Sequence, residues 1–120
     1  MLKIAVDYDN TFTANPVLVR RLIRVMAASE DVRIVTYRHS IFQGNDELIE
    51  IAKSLGIEVI FCGGMQKKAV CTILGWIPDI WIDDRPESIP TRAELSHACT
   101  TAMMNEKYLH EATHLHNKVK

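Results

Sequence analysis

The chain has 120 residues, with 48% apolar side chains, 24% charged side chains and a net charge of -1. These values describe one ordinary globular domain, 1–120, large enough for a core that needs no disulfide or structural metal. The near-zero charge argues against general affinity for nucleic acid or anionic membrane, and no apolar stretch reaches the roughly 20 residues of a membrane span.

The first strand runs from Leu2 to Asp7, and its apolar run delivers Asp7-Tyr8-Asp9-Asn10-Thr11. Two carboxylates and a hydroxyl thus stand where a buried strand stops. Charge at the edge of a core is costly unless a cation or a reaction uses it. Asn15-Pro16 reads as an N-cap with proline at the first helical position. Leu18, Leu22, Val25 and Met26 make one apolar face of a helix that continues to about Ser29. Val32 to Thr36 is the second strand. Asn45 caps a second helix, Asp46 and Glu47 suit the positive end of its dipole, and Gly56 stops it. Leu48, Ile51, Ala52 and Leu55 are its buried stripe. The third strand is Ile57 to Phe61. Gly63-Gly64 then releases a third helix, about Gln66 to Leu74, stopped by Gly75. Asp79 to Asp83 is the fourth strand. Beyond it, Thr91-Arg92-Ala93-Glu94 has capping-box spacing, and Leu95, Ala98, Cys99, Ala102 and Met103 follow helical spacing. Leu109, Ala112 and Leu115 continue that face, form a separate helix or make a dimerisation seam. No fifth strand is evident.

Strands separated by helices of this length give an α/β fold. The expectation is a Rossmann-like three-layer sandwich, a parallel sheet with helices on both faces, followed by a helical C-terminal tail from about residue 91. With strands two and three to one side of strand one and strand four to the other, the order is 3-2-1-4. The switch point then lies between strands one and four, and the strand carboxyl ends bring Asp7, Thr36 and Asp83-Asp84 to one edge. At about 4.8 Å between strands, Asp7 and Asp83 can share a cation. Oxygen ligands in this number suit Mg2+, and several carboxylates at one edge repel without a cation. A single aspartate there would read as a turn or cap residue; an Asp-x-Asp and an Asp-Asp ending two apolar strands favour a shared site. Lys67 and Lys68 open the third helix against its dipole. One of them, Lys67 in preference, is expected to balance the carboxylates and hold an anionic substrate.

The order Asp7-Tyr8-Asp9-Asn10-Thr11, Ile34-Val35-Thr36, Lys67 and Ile82-Asp83-Asp84 resembles the haloacid dehalogenase superfamily over roughly Met1 to Glu87. The resemblance implies a Mg2+-dependent phosphatase. Asp7 would be the nucleophile that takes the phosphoryl group, and Asp9 the general acid and then base. Thr36 would hydrogen-bond the phosphoryl group and Lys67 would neutralise it. Asp7, Asp83, Asp84 and the backbone carbonyl of Asp9 would form the Mg2+ site. These residue types suit the chemistry independently, since a carboxylate nucleophile splits one hard displacement into two easier ones and a second carboxylate moves the proton. Neither usual insertion point has room for a cap domain, so the chain resembles a minimal, capless member with a phosphorylated substrate. Two other readings stand beside it: a non-catalytic module that binds a phosphorylated ligand, and a nucleic-acid end-processing 3′-phosphatase. A two-component receiver domain is discarded, because its phosphorylated aspartate would end strand three, where this chain has Cys62-Gly63-Gly64.

Arg38, His39 and Arg85 follow the strand ends. Arg38 and Arg85 read equally as substrate contacts and as surface ion pairs, and His39 as an exposed loop residue. His110, His114 and His116 read as a polar helix face rather than a metal site. Trp76 and Trp81 read as core. Three cysteines without a C-x-x-C pair, and an N-terminus that starts a strand without a signal-peptide pattern, fit reduced thiols in the cytoplasm. Cys62, Cys71 and Cys99 each read as a small buried apolar residue.

Overall fold

The computed structural model of the protein describes residues 1–90 and 92–103. Its elements are β1 (Lys3–Val6), α1 (Pro16–Ala27), β2 (Asp31–Thr36), α2 (Asp46–Leu55), β3 (Glu58–Phe61), α3 (Lys67–Ile73), β4 (Ile80–Ile82) and α4 (Arg92–Met103). All strands pair in parallel, in the order β3-β2-β1-β4, which is the 3-2-1-4 order expected. β1 is central: Val6 stands opposite Ile34 of β2 and Ile82 of β4. The next residue, Asp7, therefore leaves the sheet at the switch point, and its N–H still donates to Ile82 O at 2.9 Å.

Strand side chains alternate between two cores, as the period of two requires. Ile4, Val6, Ile34 and Val59 meet Val19 and Ile23 of α1 and Leu48 and Ile51 of α2 on one face. Ala5, Val35 and Ile60 meet Val70 and Cys71 of α3, with Trp76, on the other. α4 packs on α3, so helices cover both faces of the sheet. Trp76 is a core residue, pinned by its Nε1–H to Asp31 Oδ2 at 2.9 Å and by the Arg33 guanidinium 4.5 Å above its ring. Trp81 packs half-buried against the same core. Cys62 and Cys71 are buried, and burial pushes both thiols up, Cys71 to about 12, so they act as small apolar groups. No helix among the described residues is long and apolar enough to cross a membrane.

Three readings need correction. The buried stripe of α1 is Val19 and Ile23, flanked by Met26 and Ala27, whereas Leu18 and Val25 are 59% and 73% exposed. The helix carries two apolar stripes with the same spacing. At about 100° per residue, Arg21 and Arg24 lie opposite Val19-Ile23-Met26, and solvating those arginines decides which stripe turns inward. Asn15 does cap the helix, with its Oδ1 accepting from Leu18 N at 3.1 Å. Asn45, in contrast, makes no cap hydrogen bond. A single 3-10 turn at Gln43–Asn45 leads into α2, and the buried Asn45 amide donates to His39 O at 2.7 Å, fastening the β2–α2 loop. On α4, Ala102 is buried but Met103 is exposed. Thr91, the Leu109-Ala112-Leu115 face and His110, His114 and His116 lie outside the described residues.

Candidate active site

The chain leaves β1 in one wide turn, closed by Phe12 N to Asp7 O at 3.3 Å and Thr13 N to Tyr8 O at 3.1 Å. Buried Tyr8 and Phe12 stack at 5.6 Å beneath it. Asn10 takes a left-handed φ of 63°, which asparagine tolerates better than most residues. The turn brings Thr11 back over Asp7. Its hydroxyl donates to Asp7 Oδ2 at 3.1 Å and accepts from Asp84 N at 3.1 Å. Thr11 thus ties the end of β1 to the end of β4. Its motif position was visible in the sequence, but this bridge was missed, because it depends on the turn rather than on strand periodicity.

Lys67, the first residue of α3, is 1% exposed. Its Nζ donates to Asp7 Oδ1 at 2.6 Å and to Asp83 Oδ2 at 2.9 Å. Gln66 sets that helix start: its Oε1 accepts from Ala69 N at 2.8 Å and its Nε2 donates to Ser88 O at 2.7 Å. Lys67, not Lys68, is therefore the lysine brought to the carboxylates. Each of the two acids keeps a second oxygen. Asp7 Oδ2 accepts from Thr11, and Asp83 Oδ1 accepts from Arg85 N at 2.9 Å. One ligand oxygen from each of Asp7, Asp83 and Asp84 falls within 4.8 Å of the others. Hard carboxylate oxygens gathered in this way are the ligand type that a divalent cation such as Mg2+ takes. The Asp9 carboxylate is outside the set.

Burial pushes the Asp7 carboxyl up, against the pull of Lys67 and with help from a hydrogen bond to Asp84, to about 6. The same hydrogen bond draws Asp84 down. Burial works against the Lys67 ammonium, but hydrogen bonds to Asp7 and Asp83 outweigh it and hold the group charged. Because its folded value lies above the ordinary 3.8, Asp7 favours the folded metal-free chain at low pH. That contribution is complete below 3.8 and is lost as pH rises through about 6. A cation must displace the same proton. The affinity of any Mg2+ held at these carboxylates, measured by titration calorimetry, would therefore weaken by about tenfold per pH unit once the pH is well below the Asp7 value. An affinity that stays flat as the pH falls through that value contradicts this.

Asp9 and Asp7 both face a cleft of about 120 Å³, with Asn10, Tyr37, Asp84 and Arg85 also on its walls. Both Asp9 oxygens are taken by Arg38, Oδ2 by Nε at 3.0 Å and Oδ1 by Nη2 at 2.8 Å. The guanidinium is held between Tyr8 and Phe42, 4.9 and 5.1 Å from their ring centres, and its Nη1 donates to Gly44 O at 3.0 Å. Of the two readings of Arg38, the ion pair is the one found. Thr36 is fully buried and is not on the cleft wall. Its Oγ1 accepts from Arg38 N at 3.2 Å, so it braces the turn that carries Tyr37 and Arg38. His39 is half-buried rather than exposed, and its carbonyl accepts from Asn45 Nδ2 and Phe42 N.

No model of a protein family, no curated protein and no solved structure matches the chain.

Proposed function

We propose that the protein is a Mg2+-dependent phosphomonoester phosphatase of haloacid dehalogenase type, acting through an aspartyl-phosphate on Asp7. The observation that carries this reading is the buried Lys67 ammonium, shared by two carboxylates from the ends of β1 and β4, with a third acid, Asp84, within ligand distance. An ion pair that only neutralised a core would need neither the third acid nor an open cleft. Mg2+ held by Asp7, Asp83 and Asp84, with the Asp9 backbone carbonyl that the resemblance implies, would offset repulsion between nucleophile and phosphate and polarise the phosphoryl oxygens.

In the first step an Asp7 oxygen attacks phosphorus, the bond from phosphorus to the ester oxygen breaks, and that oxygen takes a proton from Asp9. In the second, water attacks the acyl-phosphate while Asp9 removes its proton. The bond between phosphorus and the Asp7 oxygen breaks, releasing inorganic phosphate and the free carboxylate. Lys67 balances the charge that gathers on the phosphoryl oxygens. Asp9 can donate a proton only after Arg38 moves off at least one of its oxygens, and an incoming phosphate dianion competes for that guanidinium. Thr36 acts by fixing the turn under Arg38. The connections β1–α1 and β3–α3 are short, which supports an uncapped site open to a phosphorylated substrate. Three free thiols support a reducing, cytoplasmic setting.

Hydrolysis of an aryl phosphate such as p-nitrophenyl phosphate tests the proposal. Phosphate release is expected with Mg2+, is expected to stop with excess EDTA and to return when Mg2+ is restored. The same release with and without EDTA overturns the metal dependence. Saturable binding of phosphorylated ligands with no release from any of them makes the protein a binding module instead.

A further inference from the structure

We propose that the substrate's leaving group is a planar aromatic ring, an aryl or nucleoside phosphate ester, seated in a groove walled by Tyr37 and Phe42. This rests on the phosphatase reading above. The groove is shallow, has a volume of about 570 Å³ and is lined by Tyr37, Arg38, His39, Ile41 and Phe42, together with Asp9. Its size falls in the range of small-molecule sites, about 300–1,000 Å³. Asp9 and Tyr37 are the two residues it shares with the acidic cleft. Asp9 must reach the departing oxygen, so whatever that oxygen carries lies on the Asp9 side of the cleft, next to Tyr37, whose ring also stands 4.9 Å from Lys67 Nζ. The groove is the space on that side.

Its walls favour a flat ring. Tyr37 and Phe42 are 37% and 51% exposed, and exposed aromatic surface beside a polar cleft marks a place where a ligand covers it. The Arg38 guanidinium, 4.9 and 5.1 Å from the Tyr8 and Phe42 ring centres, backs the Phe42 ring and fixes it beside the cleft. The loop is built around the Phe42 ring rather than left to carry it loosely. A Cβ on Gly44 would stand 2.5 Å from Phe42 Cε2, so the absence of a side chain there makes room for the ring. Phe42 N donates to His39 O at 3.1 Å and Asn45 N to Phe42 O at 3.1 Å, with the buried Asn45 amide binding His39 O from the other side.

The test measures binding of phosphonates, which cannot be hydrolysed, to the full chain with Mg2+ by titration calorimetry. Phenylphosphonate and cyclohexylphosphonate have equal carbon counts but differ in planarity, and methylphosphonate fills the cleft alone. Wild type is expected to bind phenylphosphonate about fivefold more tightly than cyclohexylphosphonate and at least about tenfold more tightly than methylphosphonate. Phe42→Ala and Phe42→Leu are each expected to bring the first ratio within about twofold, the second variant keeping apolar bulk without the ring. Thermal melts confirm that both variants fold, since Phe42 lies outside the two cores. Equal affinity for the two ring phosphonates, or a preference unmoved by either variant, overturns the groove assignment and leaves the phosphatase reading standing. Failure to bind all three overturns both. A preference that holds without any ester hydrolysis supports the groove and removes the phosphatase.

Discussion

Asp7→Asn is expected to lower hydrolysis of an aryl phosphate by at least about 10,000-fold, while making the metal-free protein more stable at neutral pH. The two effects share one cause. An attacking carboxylate must be ionised, yet burial holds the Asp7 carboxyl up at about 6 despite Lys67. At neutral pH the fold therefore carries an anion that its surroundings disfavour. Asparagine keeps the shape and removes the charge: its one oxygen can accept from Lys67 Nζ while its amide N–H donates to the Thr11 hydroxyl, which turns to accept. A rise of about 4 °C in the melting temperature of the metal-free chain is expected. Added Mg2+ should stabilise wild type more than the variant, since one of the three carboxylates proposed to hold it is gone. Melting curves with EDTA and with Mg2+ measure both. A variant that melts lower than wild type in EDTA contradicts the electrostatic account even if its activity is lost.

Lys67→Met is expected to destabilise the protein by about 3–5 kcal/mol at neutral pH, the usual cost of removing one partner from a buried ion pair. Methionine fills much of the lysine volume, so the loss reports charge rather than a cavity. Asp7 and Asp83 now face Lys67 from two strands at 2.6 and 2.9 Å. Without the ammonium, Asp7 keeps the Thr11 hydroxyl and the hydrogen bond to Asp84, and Asp83 keeps the Arg85 N–H. Lowering the pH below about 6, where Asp7 takes up its proton, should narrow the gap between variant and wild type. Urea denaturation at the two pH values measures it. A loss under about 1 kcal/mol at neutral pH would place Lys67 among screened surface pairs and contradict its burial.

Much of the fold was legible because its strands are apolar runs punctuated by turn residues. Lys3 to Val6 and Val32 to Thr36 announce themselves by hydrophobicity, and right-handed crossovers leave few ways to order four parallel strands. Asp7 and Asp83-Asp84 were legible as a pair for the same reason, since the edge of a parallel sheet gathers strand ends. Lys67 stood out by opening a helix with the unfavourable charge. What escaped the sequence depends on paths rather than periods. Two apolar stripes on α1 satisfy the same spacing, and the arginines opposite one of them decide. The Asp9–Arg38 ion pair joins residues 29 positions apart in the chain through a loop whose course follows Asn45, a residue that read as a helix cap. Phe42 and Tyr37 belong to no periodic pattern, so nothing in their spacing announced a groove beside Asp9. The resemblance implied Thr36 as a phosphate contact, whereas its hydroxyl accepts from the Arg38 backbone N–H.

The role given to Asp7 is tested most directly by trapping. The protein with Mg2+ and an aryl phosphate is quenched in acid within a turnover, reduced with borohydride and digested, and the peptide carrying residue 7 is weighed. Reduction of an acyl-phosphate turns an aspartate into homoserine, so the account predicts that conversion at Asp7, dependent on Mg2+ and absent when substrate is left out. Steady phosphate release with no conversion at Asp7, or with conversion at another carboxylate, would contradict it.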